Sequence, residues 1–142
     1  MIATLLIAWC LLAVTVAIHA AGLSAMLPHV LSALPDRRFW PVTWQILWVA
    51  WRLILLHLTE IAAWALFYWW QCLPDAESSF YFSGVTYATL GYGDLVLPDE
   101  WRLLGPVEGL VGILMCGLST GFFFVVVSKF LGPKSAFNRT DP

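Results

Sequence analysis

Three long apolar runs dominate the chain, and a shorter, mixed run separates the second from the third. Ile2 to Met26, Leu47 to Trp70 and Val107 to Phe130 are each long enough to cross a membrane; a helix needs about 20 apolar residues to span a hydrocarbon core of about 30 Å. After the second run, Pro74 breaks the pattern and Asp75 can cap a new helix, with Glu77, Ser78 and Ser79 in its first turn. A carboxylate there satisfies unpaired N–H groups and meets the positive end of the helix dipole. The helix would run to about Ala88 and rise about 18 Å, half of the membrane. Backbone that stops halfway is tolerated in a bilayer only where protein buries it or water reaches it. The pattern therefore predicts an all-α membrane protein with three transmembrane helices and one half-membrane helix between the second and third.

Composition agrees. Of 142 residues 61% are hydrophobic and 11% charged, with nine tryptophans, too apolar for a soluble domain of this size. The net charge of −2 hides an asymmetry. Arg37 and Arg38 follow the first run, and Lys129, Lys134 and Arg139 lie at or beyond the end of the third. Between the second and third runs stand Asp75, Glu77, Asp94, Asp99 and Glu100 against Arg102 alone. Loops rich in Lys and Arg stay cytoplasmic, so the N-terminus is expected outside and the C-terminus in the cytoplasm. Trp40, Trp44, Trp48 and Trp51 form a stripe suited to the inner interface, where an apolar ring with a polar N–H is at home. Arg37, Arg38 and Arg52 are either a binding patch for anionic lipid or the charges that topology itself requires. Cys10, Cys72 and Cys116 lack metal-ligand spacing; Cys72 is read as a free thiol or an inter-subunit bridge.

After the half-length helix comes Thr89-Leu90-Gly91-Tyr92-Gly93-Asp94. Two glycines at alternate positions let a backbone adopt dihedrals that other residues reach only at a steric cost. This stretch resembles the selectivity filter of tetrameric potassium channels, with leucine where that family more often has valine. The resemblance is to small bacterial potassium channels of the two-transmembrane, pore-loop superfamily, with an extra N-terminal helix. It implies carbonyls of Thr89, Leu90, Gly91, Tyr92 and Gly93 aimed at an axis, where they replace the water shell of K+. Other expectations follow from it: a homotetramer, K+ as the transported ion, no organic cofactor, no enzymatic activity, and a multi-pass protein of a cell membrane, of bacterial inner-membrane type. Membrane lipid is the expected surroundings, and nucleic acid is not a partner. The same reading divides the chain into an N-terminal helix (1–30), a cytoplasmic connection (31–46), a pore domain (47–131) and a cytoplasmic tail (132–142). The pore domain comprises an outer helix (47–72), a pore helix (77–88), the filter (89–94) and an inner helix (100–131). Rival readings are a weakly selective cation channel and a non-conducting scaffold or regulatory subunit with the same fold.

Departures from the family bear on filter support. Tyr81 and Phe82 stand where well-known channels often carry two tryptophans. Val85 stands where some relatives have a glutamate that bonds the carboxylate equivalent to Asp94, so Asp94 needs another donor or stays solvated. Glu108 falls near the back of the filter, either accepting a hydrogen bond from the pore helix or lying at the interface. A signal-peptide reading of the first 21 residues lacks a positive n-region, and cleavage would turn the filter inward.

Ionisable side chains inside the spans are expensive. His57 and Glu60 are three apart and share a face. Glu60 rises about 12 Å above Arg52, and His19 about 13 Å above Pro28, where the first helix is expected to end. The depths coincide, so His19 or His57 is expected to partner Glu60; the alternative is a neutral Glu60 bonded to a backbone carbonyl. A proton-coupled role in gating is the sharper reading. In the last run, Gly112 and Gly117 are candidates for a bend, and Gly117-x-x-x-Gly121 for close helix approach. Ser119 and Thr120 would line a water-filled cavity, and one of Phe122, Phe123 and Phe124 would close the pore below. Gly117 to Gly121 also matches GxSxG, but a hydrolase needs that motif on a strand-to-helix turn with a base in reach. With no ligand-binding domain in the tail, gating is expected from membrane, pH, ions or filter, or from a separate regulatory protein.

Overall fold

The computed structural model describes residues 2–32 and 39–131, and every described element is helical. Helix α1 spans Ile2–Ser32, α2 Phe39–Gln71, α3 Ala76–Tyr87 and α4 Leu104–Leu131, with a short 3-10 turn at Asp99–Trp101. Three helical stretches are long and apolar enough to cross a membrane, and α3, at 12 residues, is not. Arg37, Arg38 and the tail from 132, read from sequence as cytoplasmic, lie outside the described residues.

Helix limits depart from the sequence expectation in three places. α1 does not end at Pro28 but runs through it to Ser32. A proline one turn from a helix end removes a single internal hydrogen bond, and a membrane helix tolerates it where neighbours compensate. Lys129 on α4 donates to the carbonyls of Val30 and, at 3.0 Å, Leu31, supplying a cation to the negative end of α1. α2 takes in 39–46, assigned above to the connection, because Pro41 falls in its first turn, where a missing N–H costs nothing. The last helix does not begin at residue 100. Asp99 and Glu100 stand in the 3-10 turn, Asp99 meets Arg102 at 3.2 Å in an exposed pair, and α4 begins at Leu104.

The core is built in tiers along the bundle. One end packs Met26 and Val30 of α1, Val42, Val49 and Leu53 of α2, and Val126 and Phe130 of α4. The other packs Ala8, Trp64, Tyr68, Leu97 and Leu104. Between them, Tyr87, Val111 and Met115 seat the end of α3 against α4. Lipid tails are as apolar as leucine, so packing and hydrogen bonds between helices hold such a bundle together more than hydrophobicity does. α1 lies along α2 and α4 of its own chain, where Trp64 Nε1 donates to Thr15 Oγ1 at 2.8 Å. The tryptophan stripe divides: Trp40, Trp44 and Trp51 point outward, while Trp48 packs on the first tier and carries the Arg52 guanidinium over its ring at 4.5 Å.

Candidate functional site: the re-entrant helix and its loop

Helix α3 starts as its sequence suggests. The Asp75 carboxylate accepts from the Ser78 N–H at 2.7 Å and from its hydroxyl at 2.9 Å. The Ser78 backbone bond, before all else, holds the Asp75 carboxyl below the usual carboxylate range. Just beyond α2, burial pushes the Cys72 thiol up to about 11, and no cysteine of its own chain is bonded to it.

At its other end α3 passes directly into the glycine-bearing loop. Thr89 has φ 59, Gly91 φ 57 and Gly93 φ 77, all left-handed, while the intervening residues are not. In a strand successive carbonyls alternate sides. Handedness alternating residue by residue instead keeps them on one side. The N–H groups of Leu90 and Gly91 turn back onto the Val85 carbonyl at 2.9 and 3.4 Å, tying the loop's donors to the end of α3. Glycine was the expected answer at two of the three positions. Thr89 was not, and a β-branched residue with that φ is a genuine outlier, costing about 1–2 kcal/mol. Strain of this kind persists where surrounding structure enforces it and clusters at functional sites. The loop lies open: Leu90 is 58% and Tyr92 67% exposed.

Asp94 does find a donor. The Tyr81 hydroxyl donates to Asp94 Oδ2 at 2.7 Å, filling the role that Val85 cannot. With valine at 85, a cavity of about 130 Å³ remains between Tyr81, Val85, Thr86, Gly91 and Asp94. Phe82 also lines this cavity and meets the Tyr68 ring edge-on at 5.1 Å.

Behind the loop, buried Glu108 receives the Ser83 hydroxyl at 2.5 Å and the Tyr68 hydroxyl at 2.7 Å. One carboxylate thus joins α2, α3 and α4. Ser83 also has the Ile61 carbonyl within 2.9 Å, but Tyr68 has no second acceptor among its described bonds. Glu108→Ala is therefore expected to orphan the Tyr68 hydroxyl and cost about 3 kcal/mol, read as thermal unfolding in detergent. Adding Tyr68→Phe should recover part of that loss. Strictly additive losses would show that the Tyr68–Glu108 bond is not what Glu108 contributes.

A second polar cluster lies between the tiers. His19 Nδ1 is 2.8 Å from Glu60 Oε1, and His57 Nδ1 is 3.6 Å from Glu60 Oε2, so both histidines reach the carboxylate. The Tyr87 hydroxyl also donates to Glu60 and lies 2.9 Å from His57 Nδ1. Spacing and depth pointed to the two histidines. Tyr87 was missed because it arrives from a different helix, and only the re-entrant path brings it there.

The last helix corrects several expectations. Ser119 does not line an exposed cavity with Thr120. It is buried with its hydroxyl 3.5 Å from His19 Nε2, whereas Thr120 is exposed and bonds Cys116 O at 2.8 Å. A Ser119–His19–Glu60 line resembles a catalytic triad, but the α4 backbone is continuous helix there, so its N–H groups are spent on helical bonds and offer no oxyanion hole. A Cβ added at Gly117 or Gly121 would meet no described atom of the chain within 4 Å. Within the chain, α4 makes its close approach at Gly112, where an added Cβ would collide with the Tyr87 carbonyl oxygen and lie 2.9 Å from its carbon. Phe122 and Phe123 pack inward on the first tier, and Phe124 is 71% exposed.

Residues 54–129 match the protein-family model described as Ion channel, which is more than half of the 142-residue chain. The match takes in most of α2, all of α3 and the loop, and nearly all of α4; α1 lies outside it. No curated protein and no solved structure matches the chain.

Proposed function

The chain belongs to the ion channel family of two-helix pore-loop proteins, and from that premise we propose that it forms a potassium-selective channel. Four identical chains surround one axis, each giving one loop, and K+ passes down its gradient through stacked carbonyls of residues Thr89 to Gly93. The reading is carried by the alternating left-handed residues at Thr89, Gly91 and Gly93. With the loop's donors drawn back to Val85, the oxygens stay available to replace water around a dehydrated cation. One loop cannot encircle an ion, and the exposure of Leu90 and Tyr92 is what a surface awaiting further copies would have. Asp94, Asp99 and Glu100 face the outside in this arrangement and concentrate cations at the mouth. The N-terminus lies outside and the C-terminus in the cytoplasm, as the loop charges require. The filter is held by Tyr81 on Asp94, by the α3 end that includes Val85, and through α3 by Glu108. Gly112 seats that end, Phe124 is exposed toward lipid, a neighbour or the pore, and Thr120 lies on an open face of α4.

Planar-bilayer recording with the protein as sole component, potassium on one side and sodium on the other, tests the proposal. The reversal potential is expected near the potassium equilibrium value. A value near zero would make it a weakly selective cation channel, and persistent silence a non-conducting scaffold; either ends the potassium reading.

A further inference from the structure

We propose that His19, His57 and Glu60 form a binding site for a zinc-like divalent transition ion, located within the bundle just below the base of the loop. Their ligand atoms all lie within 4.8 Å of one another. The two separations from Glu60 are 2.8 and 3.6 Å. Zinc bonds of about 2.0–2.1 Å to nitrogen or oxygen put neighbouring tetrahedral ligands about 3.3 Å apart; the two separations, one from each histidine to a different oxygen of the one carboxylate, lie within about 0.5 Å of that edge. The donors are two imidazole nitrogens and one carboxylate. That set suits zinc and its first-row neighbours and not magnesium or calcium, which take oxygen ligands almost throughout. Three protein ligands leave one tetrahedral position open.

The supporting groups are those a metal site uses. A ligating histidine typically bonds its other ring nitrogen to a polar group, which fixes the ring. His19 presents Nδ1 to Glu60 and has Ser119 Oγ 3.5 Å from Nε2. Glu60 Oε2, the oxygen that faces His57, also receives the Tyr87 hydroxyl. His19 and Glu60 are 1% and 0% exposed, while His57 keeps 20% and leaves an approach. Two imidazoles and a carboxylate at this depth are expensive, and a divalent ion would use all three. Ligands come from α1 and α2, outer support from α3 and α4, so an occupied site would clamp four helices. Tyr87 is two residues before Thr89, which places the clamp at the root of the loop.

Neither potassium selectivity nor flux enters this inference, so it can fail without touching the reading above. The test uses the full chain in detergent, freed of any affinity tag and stripped with chelator. Titrated with Zn2+ alone, it is expected to retain about one ion per chain after desalting, and Co2+ in its place should give the visible absorption of a four-coordinate N/O site. His57→Gln and Glu60→Gln should each weaken Zn2+ binding by about 100-fold, and Tyr87→Phe by about 10-fold. His29→Gln, a histidine on Trp48 outside the cluster, should leave binding unchanged. Metal-free thermal unfolding identifies any variant that has lost its fold. In that case His19→Gln replaces it in the comparison. No retained Zn2+, or equal retention by folded ligand variants, would reduce the cluster to a hydrogen-bond network and overturn the proposal.

Discussion

Gly91→Ala is expected to bring potassium flux into liposomes down to the level of empty vesicles while the protein stays folded. The reason is conformational. Gly91 sits at φ 57, and a Cβ added there meets nothing within 4 Å of its own chain. Alanine is not blocked by a neighbour; it is strained by its own backbone, at about 1–2 kcal/mol. That penalty is small beside the stability of a helical bundle, so thermal unfolding in detergent should fall only slightly. It is large for a loop whose handedness alternates at Thr89, Gly91 and Gly93, because relief of the strain turns one peptide plane and with it one carbonyl. A scaffold would be indifferent to the change, so flux that survived Gly91→Ala would remove the loop from the conduction path.

Gly112→Ala should fail for the opposite reason. Its dihedrals are those of an ordinary helix, where alanine is usually the better residue. Here the new methyl would run into the Tyr87 carbonyl oxygen, within 2.9 Å of the carbonyl carbon and 3.2 Å of Cα. Those are backbone atoms at the end of α3, held by the Tyr87 hydroxyl on Glu60, so they cannot swing aside as a side-chain tip would. Overpacking of this kind costs about 3 kcal/mol or more, and moving α3 would carry the loop with it. The expected result is a marked loss of thermal stability in detergent together with loss of flux. Gly109→Ala is the control, since its Cβ would rest 3.5 Å from Thr86 O in ordinary contact. If both variants unfolded at the wild-type temperature, the close contact between α3 and α4 would be disproved.

The two glycines show why parts of the site could be read early and others could not. TxGYGD announces itself because positive φ at alternate positions is a local demand, met by residues two apart in sequence. The need for Gly112 is tertiary: nothing near it in sequence distinguishes it from Gly117 or Gly121, whose spacing fits a packing motif yet where an added Cβ would meet no described atom of the chain within 4 Å. Ser119 and Thr120 make the same point. Both look like hydroxyls for a wet cavity, but neighbouring positions on a helix face about 100° apart, and the arrival of α1 takes Ser119 into the core beside His19.

By itself the sequence determined how many of the described helices are long and apolar enough to cross a membrane, because length and hydropathy must match a slab of fixed thickness. It also settled the start of α3, because Asp75 caps it locally, and the common depth of His19 and Glu60, because helical rise is constant. Only tertiary structure decided which groups meet at that depth. Tyr87 reaches Glu60, Tyr68 reaches Glu108 and Tyr81 reaches Asp94 across separations of 27, 40 and 13 residues. Each tyrosine hydroxyl ends a long side chain, so its partner depends on how α3 passes α2, how α2 passes α4 and how the loop folds back on α3, and none of these is written in a single stretch of chain.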